Sequence, residues 1–328
     1  MSQTPRRLLT LNCHEAWLHQ LHVLPYQLDI IDGLPGRYTS AWDVRIRPLP
    51  DNARLITLQE ALTSGESYHC IIAHSMTDLL DVKSLAWPRL LVLHNTLEGR
   101  LQEQTQSAPE QVQAVLRQYV RLTGTQVIAV TAMKGRSWGF GKDIVPCGVD
   151  AAAYPPWSGE LACGIRVANQ IHPKRTLLNW ALHEAAFQDL PIRLVGHNPE
   201  FPGVVPADNW DHLKRLLQSH RFYVHTADAV QEDGYNMAML EAMAAGLPVL
   251  GNRHHSSPIV HGVSGFLSDD PQELARYAKM LLADRELAHR LGRAARQTVQ
   301  EKFSLQRFAF LLQQAIRNAR RPRPGRRL

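Results

Sequence analysis

The stretch "QEDGYNMAMLEAMAAGLPVLG", residues 231 to 251, reads as a turn, a helix and a strand in succession. "DGYN" at 233–236 supplies turn residues, and "MAMLEAMAA" at 237–245 supplies a helix body. Gly246 and Pro248 stop the helix before the apolar "PVLG". Two carboxylates, Asp233 and Glu241, interrupt this otherwise apolar run. With a helix starting at Asn236 or Met237, Asp233 lies at its mouth and Glu241 about one turn inside, roughly 6 Å down the axis. Ala238, Leu240, Ala242, Ala244 and Ala245 leave little polar face on the helix, so Glu241 is expected to be buried. A buried carboxylate without a partner costs several kcal/mol.

Outward from this unit the chain repeats one rhythm. "RRLLTLN", "YQLDII", "RLITL", "CIIAH", "RLLVLH" and "QVIAV" occupy the first half, and "GIRVAN", "IRLVG", "RFYVHT" and "LPVLG" the second. Fully apolar strands alternating with helical segments predict parallel sheets covered on both faces. At 328 residues the chain is long for one core and suits two doubly wound α/β domains. "DAAAYPPWSGEL" at 150–161 breaks the periodicity and separates them. The expected domains are therefore residues 1–153 and 160–303. Asp270, Pro271 and Glu273 predict a capped helix start, and "SLQRFAFLLQQAIRNA" at 304–319 a last helix apolar enough to need a docking surface.

Composition excludes several classes. Cys13, Cys70, Cys147 and Cys163 are scattered without C-x-x-C spacing, against a disulfide framework or a zinc ribbon. No apolar run reaches about 18 residues, and no signal-peptide core precedes "NCHE", so a cytoplasmic protein is expected. The net charge of +6 resides in the tail "RNARRPRPGRRL", 317–328. Such a segment (320–328 above all) is expected to be a disordered basic end, with weak contact to anionic surfaces as the sharper reading and no specific nucleic-acid site.

Unpaired amides and the positive end of the helix dipole lie between Asp233 and Glu241, and both suit phosphate oxygens. A ligand with hydroxyls at one end, a diphosphate in the middle and a ribose at the other matches that stagger: a nucleotide sugar. The alternative is a solvent-facing Glu241 with Asp233 as a simple cap.

At these residues the sequence resembles the retaining glycosyltransferases of family 4, the glycosyl transferases group 1. Their acid motif reads E-G-F-G-x-x-x-x-E-A-M-A-x-G-x-P-V, and this chain has D-G-Y-N-M-A-M-L-E-A-M-A-A-G-L-P-V. The resemblance implies the GT-B fold, two Rossmann-like domains facing across a cleft, with the helix from 304 to 319 packing back on the first domain. It implies a nucleotide-sugar donor, no separate cofactor, and an acceptor that is a glycan, a lipid or a small molecule. Asp233 with the amides of Gly234, Tyr235, Asn236 and Met237 would hold the donor sugar and diphosphate, and Glu241 the ribose. "VIAVTAMKGRSWGFGKDIVPCGVDAAAYPP" resembles the family's passage between domains, and "HHSSPIVHGVSGFLSDDPQELA" the segment after the acid motif.

The departures are specific. Asp233 stands where the family has glutamate. In "ANQIHPKR", Lys174 matches the family's lysine, but Asn169 replaces the arginine that would help neutralise the diphosphate; Arg175 offers partial compensation. "NCHEAWLHQLH" carries no glycine where members have a glycine-rich loop. These departures keep open a non-catalytic GT-B binding protein, with a GT-B epimerase or phosphorylase as a further alternative. His94, ending "LLVLH", matches a histidine on the family's acceptor side, and His74 ends the preceding strand. No metal set is expected: "HEAWLH" from His14 to His19 is one residue longer than the H-E-x-x-H motif, and no D-x-D element exists.

Overall fold

A computed structural model describes residues 6–37, 39, 41–103 and 108–320. Two compact units divide the chain, one up to Cys147 together with the segment from Leu305 onward, the other Gly148–Ser304. The basic tail from 321 lies outside the described residues.

In the first unit the strands are β1 (Arg7–Leu11), β2 (Gln27–Ile31), β3 (Ala53–Ile56), β4 (Tyr68–Ala73), β5 (Arg89–Leu93) and β6 (Gln126–Ala129). The helices between them are α1 (Glu15–His19), α2 (Leu58–Thr63), α3 (Met76–Asp81), α4 (Leu97–Glu103), α5 (Pro109–Thr123) and α6 (Ala132–Ser137). The sheet is parallel, in the order β3-β2-β1-β4-β5-β6. Leu9, Leu11, Ile31 and Ile71 fill one side of it, and Leu91, Leu93 and Val127 pack with Leu97 of α4 and Leu116 of α5. The chain reverses direction across the sheet between β1 and β4, and a crevice outside the carboxyl ends of strands at such a point is where open α/β sheets take ligands.

The second unit contains β7 (Leu161–Val167), α7 (Trp180–Phe187), β8 (Ile192–Val195), α8 (Trp210–Ser219), β9 (His220–His225) and α9 (Met237–Ala244). It continues with β10 (Val249–Gly251), β11 (Gly265–Leu267), α10 (Pro271–Ala283) and α11 (Arg285–Lys302). Its sheet is also parallel, ordered β11-β10-β9-β7-β8, which puts the reversal between β7 and β9. Phe222, Val224, Leu250 and Phe266 meet Phe187, Leu274 and Leu281 in its core.

All ten apolar runs read from the sequence are strands, and α12 (Leu305–Ala319) closes the chain. Leu305, Phe308, Leu312 and Ile316 are the buried face of α12, which packs on β5 and β6 of the first unit. No described helix is long and apolar enough to cross a membrane. One local expectation is corrected at α10. Asp270 caps the helix through the amide of Gln272, but Glu273 does not return to the Asp270 amide. Its carboxylate accepts instead from the hydroxyls of Ser268 and Tyr277, at 2.5 and 2.8 Å.

Candidate functional site

Helix α9 begins as the sequence requires. Asn236 is its cap, with Oδ1 accepting from the amide of Met239 at 2.9 Å. At its far end Gly246 takes φ +92°. The amides of Gly246 and Leu247 donate back to the carbonyls of Met243 and Ala242, both at 3.0 Å, a Schellman closure that needs a left-handed residue. Between these ends the helix is buried almost all round.

Both acids are buried, Asp233 at 0% and Glu241 at 5% exposure, which excludes the solvent-facing alternative. Glu241 lies toward the sheet. Its charge adds to the burial that raises the Tyr223 hydroxyl above its ordinary range, and that hydroxyl donates to the carbonyl of Val167 at the carboxyl end of β7. Asp233 sits before the helix mouth, where its carbonyl meets Nε2 of His225 at 3.4 Å. Burial pushes the His225 imidazole down to about 4. Both acids thus belong to the carboxyl edge at the β7/β9 reversal.

The loop after β10 packs on this turn. Ser256 Oγ accepts from the amide of Gly234 at 2.8 Å and lies 3.0 Å from Nδ1 of His254. A Cβ on Gly234 would stand 2.8 Å from the His254 ring, so only glycine allows this approach. The Gly234 amide, one of those expected to face the donor, donates here to Ser256. Sequence reasoning passed over His254 and Ser256, although both lie in the "HHSSPIVHG" segment that follows the acid motif.

The loop from β7 to α7 supplies the cationic candidates. It is stitched to the loop after β9 by the Asp228 amide on the Leu177 carbonyl (2.9 Å) and by Thr226 Oγ1 on the Leu178 carbonyl (2.6 Å). Lys174 and Asp233 are therefore carried on tied loops at the same edge. Asn169 has a structural task, with Oδ1 accepting from the amide of His197 at 2.8 Å. Arg175 pairs with Glu184 of α7 at 2.6 Å, so the compensating role considered for Arg175 is already opposed by a surface carboxylate.

Arg166 on β7 was not anticipated. It is 2% exposed, and its guanidinium donates to Thr226 Oγ1, the Thr226 carbonyl and the Leu178 carbonyl. Those acceptors are neutral, and burial lowers its pKa to about 10. It sits inside an apolar strand, where the sequence pattern gives a charge no visible role.

In the first unit, His94 and His74 end β5 and β4 side by side, with Nδ1 of His74 2.9 Å from Nε2 of His94. Thr10 Oγ1 lies 2.9 Å from Nε2 of His74. The indole of Trp17 meets both imidazoles edge-on, at 4.9 and 5.1 Å between centroids, and Phe308 of α12 backs it at 6.0 Å. Cys13, beyond the end of β1, joins them: one donor atom from each of Cys13, His74 and His94 lies within 4.8 Å of the others. The sequence gives no expectation of this cluster. The "HEAWLH" histidines do not join it, since Nδ1 of His19 faces the Pro48 carbonyl; the three donors come from residues far apart in sequence.

Comparison with known proteins agrees with the geometry of the second unit. Residues 195–298, which include the acid motif, match the family model described as "Glycosyl transferases group 1". The chain is 36% identical over 134 residues to N-acetyl-alpha-D-glucosaminyl L-malate synthase of Bacillus anthracis. That alignment covers 35% of this chain and 34% of the relative, so the chain spans about a third of the length of the curated protein it matches. Sucrose-phosphate synthase from Thermosynechococcus elongatus superposes with a TM-score of 0.67 at 16% identity, covering 95% of this chain and 98% of that one. HepE of Anabaena, solved with UDP and glucose, gives 0.66 at 15% identity, covering 96% and 100%. The fold is GT-B, with two Rossmann-like units.

Proposed function

We propose that this chain is a group 1 glycosyltransferase of the family 4 type, moving a sugar from a nucleoside diphosphate to an acceptor with retention at the anomeric carbon. The observation that carries the reading is the burial of Asp233 and Glu241 on either side of the α9 N-terminus, at the carboxyl edge where the second sheet reverses. The family match over the same residues supports it.

Glu241, beside Tyr223, is placed for the ribose hydroxyls, and Asp233, beside His225 and His254, for the donor sugar. The diphosphate rests at the N-terminus of α9 (Tyr235, Asn236 and Met237), where the helix dipole favours negative charge. As the sugar departs, charge grows on the leaving phosphate oxygens. The dipole and Lys174 are the fixed positive groups that meet it, and such preorganised stabilisation is a large catalytic contribution. Donor handling proceeds without a bridging metal ion. The acceptor attacks from the face the leaving group vacates, a route that needs no covalent nucleophile. His94 belongs to the acceptor side, on the first unit.

HepE was solved with UDP and glucose, so UDP-sugars are the first donors to try. Slow donor hydrolysis, followed by proton NMR of the first-formed sugar, tests the reading. Release of the same anomer as in the donor is expected. The inverted anomer contradicts retention, and an untouched panel of UDP-, GDP- and ADP-sugars contradicts transfer.

A further inference from the structure

We infer that Cys13, His74 and His94 form a zinc site in the first unit, with one coordination position left open. The inference does not depend on the transferase reading. The three donors come from the carboxyl ends of β1, β4 and β5, and β1 and β4 are the pair between which the sheet reverses. Each offers one ligand atom within 4.8 Å of the other two. One thiolate and two imidazoles suit a borderline-soft, d¹⁰ ion, and three protein ligands with an open fourth place are the pattern of reactive rather than purely structural zinc.

The surroundings are built for ligation. Thr10, 0% exposed, contacts Nε2 of His74 at 2.9 Å. As acceptor of an Nε2–H it would leave the Nδ1 lone pair aimed at His94, the outer-shell fixing of tautomer that metal-bound histidines usually have. Asp78 Oδ2 accepts from the His74 amide at 2.8 Å and pins its backbone. Trp17, 2% exposed, presses edge-on against both rings and limits their rotation.

The two ring nitrogens share a hydrogen bond of 2.9 Å, and as zinc binds the proton in it moves to the other nitrogen of its own ring. Two nitrogens on one tetrahedral zinc stand roughly 3.4 Å apart, so the pair opens by about half an ångström on binding. The Cys13 thiol loses its proton to solvent as the Zn–S bond forms. The vacant position would take water or an oxygen of a ligand at this edge.

The test is metal content and Co²⁺ spectroscopy on the full-length chain. Purified protein is expected to hold about one zinc per chain after dialysis against ZnCl₂, and Co²⁺ titration to give a thiolate-to-cobalt charge-transfer band. Cys13→Ser should abolish the band, and His74→Ala and His94→Ala should each lower affinity at least tenfold, whereas Cys163→Ser keeps both. Should the variants misfold by circular dichroism, the wild type still decides: zinc must slow alkylation of Cys13, read by peptide mass spectrometry. Absence of the band and of zinc-dependent protection overturns the site, as does a band that persists in folded Cys13→Ser.

Discussion

Oδ1 of Asn169 accepts from the amide of His197 at 2.8 Å, so Asn169 fastens the loop after β8 to the loop after β7. Other ties hold the same junction: Asn198 joins the Ile171 amide to the Ala168 carbonyl, and the Gln170 amide donates to the His197 carbonyl.

Asn169→Arg is therefore expected to cost about 1 kcal/mol of stability, the net worth of one hydrogen bond, without releasing the loop. It is also expected to tighten nucleoside diphosphate binding about tenfold or more, since a charge-assisted contact is worth roughly 1.5 to 3 kcal/mol. Asn169→Ala should show the stability loss alone. Calorimetric titration of the two variants separates the effects, and equal affinities would mean the diphosphate does not pass this residue.

Asp233 and Glu241 are expected to differ in kind when changed. Ribose contacts persist from ground state to transition state, whereas sugar contacts tighten as the donor bond breaks. Glu241→Gln should raise the donor KM with little change in kcat, and Asp233→Asn should lower kcat by tenfold or more at similar KM. Steady-state donor hydrolysis checks both; identical profiles would mean the two acids do not share out the ligand in this way.

His225 should contribute to acid sensitivity, together with other histidines whose pKa is lowered, such as His69 and His19. Burial holds the His225 imidazole down to about 4, while the unfolded chain titrates near 6.5. Between those values the unfolded state binds a proton that the native state does not. Its contribution to stability is present above about pH 6.5 and is lost as pH falls toward about 4. The melting temperature should drop across that window, and His225→Gln should flatten the drop. An unchanged slope in the variant would mean His225 is not among the groups responsible.

Much of this was legible in the sequence, for a physical reason. Strands covered on both faces must be apolar throughout, so runs such as "RLLVL" and "RFYVH" announce themselves. β11 did not, because Gly265–Leu267 is three residues led by a glycine. A Cβ on Gly265 would stand 2.1 Å from the Val249 carbonyl, so packing rather than pattern makes that strand. Asp233 and Glu241 were readable because one helix fixes their separation. His254, Ser256 and Arg166 were not, since nothing local ties them to that helix. Cys13, His74 and His94 were invisible as a set because the order of strands in the sheet, not their spacing in the chain, brings them together.

Nucleotide affinity should not depend on a divalent ion, because α9 and Lys174 supply the positive charge and no D-x-D pair exists to hold a metal on the diphosphate. Calorimetry in EDTA and in Mg²⁺ is expected to give the same Kd within a factor of about two. Binding seen only with Mg²⁺ would require an ion at the diphosphate.

Thermal unfolding with UDP, GDP and ADP tests most directly whether the buried acids flanking α9 hold a nucleoside diphosphate. A ligand that binds only the native state at a hundred times its Kd stabilises by about 2.7 kcal/mol, a shift of several degrees for one nucleotide that Glu241→Gln should remove. A flat response of the wild type to all three, or an equal shift in Glu241→Gln, would contradict the account.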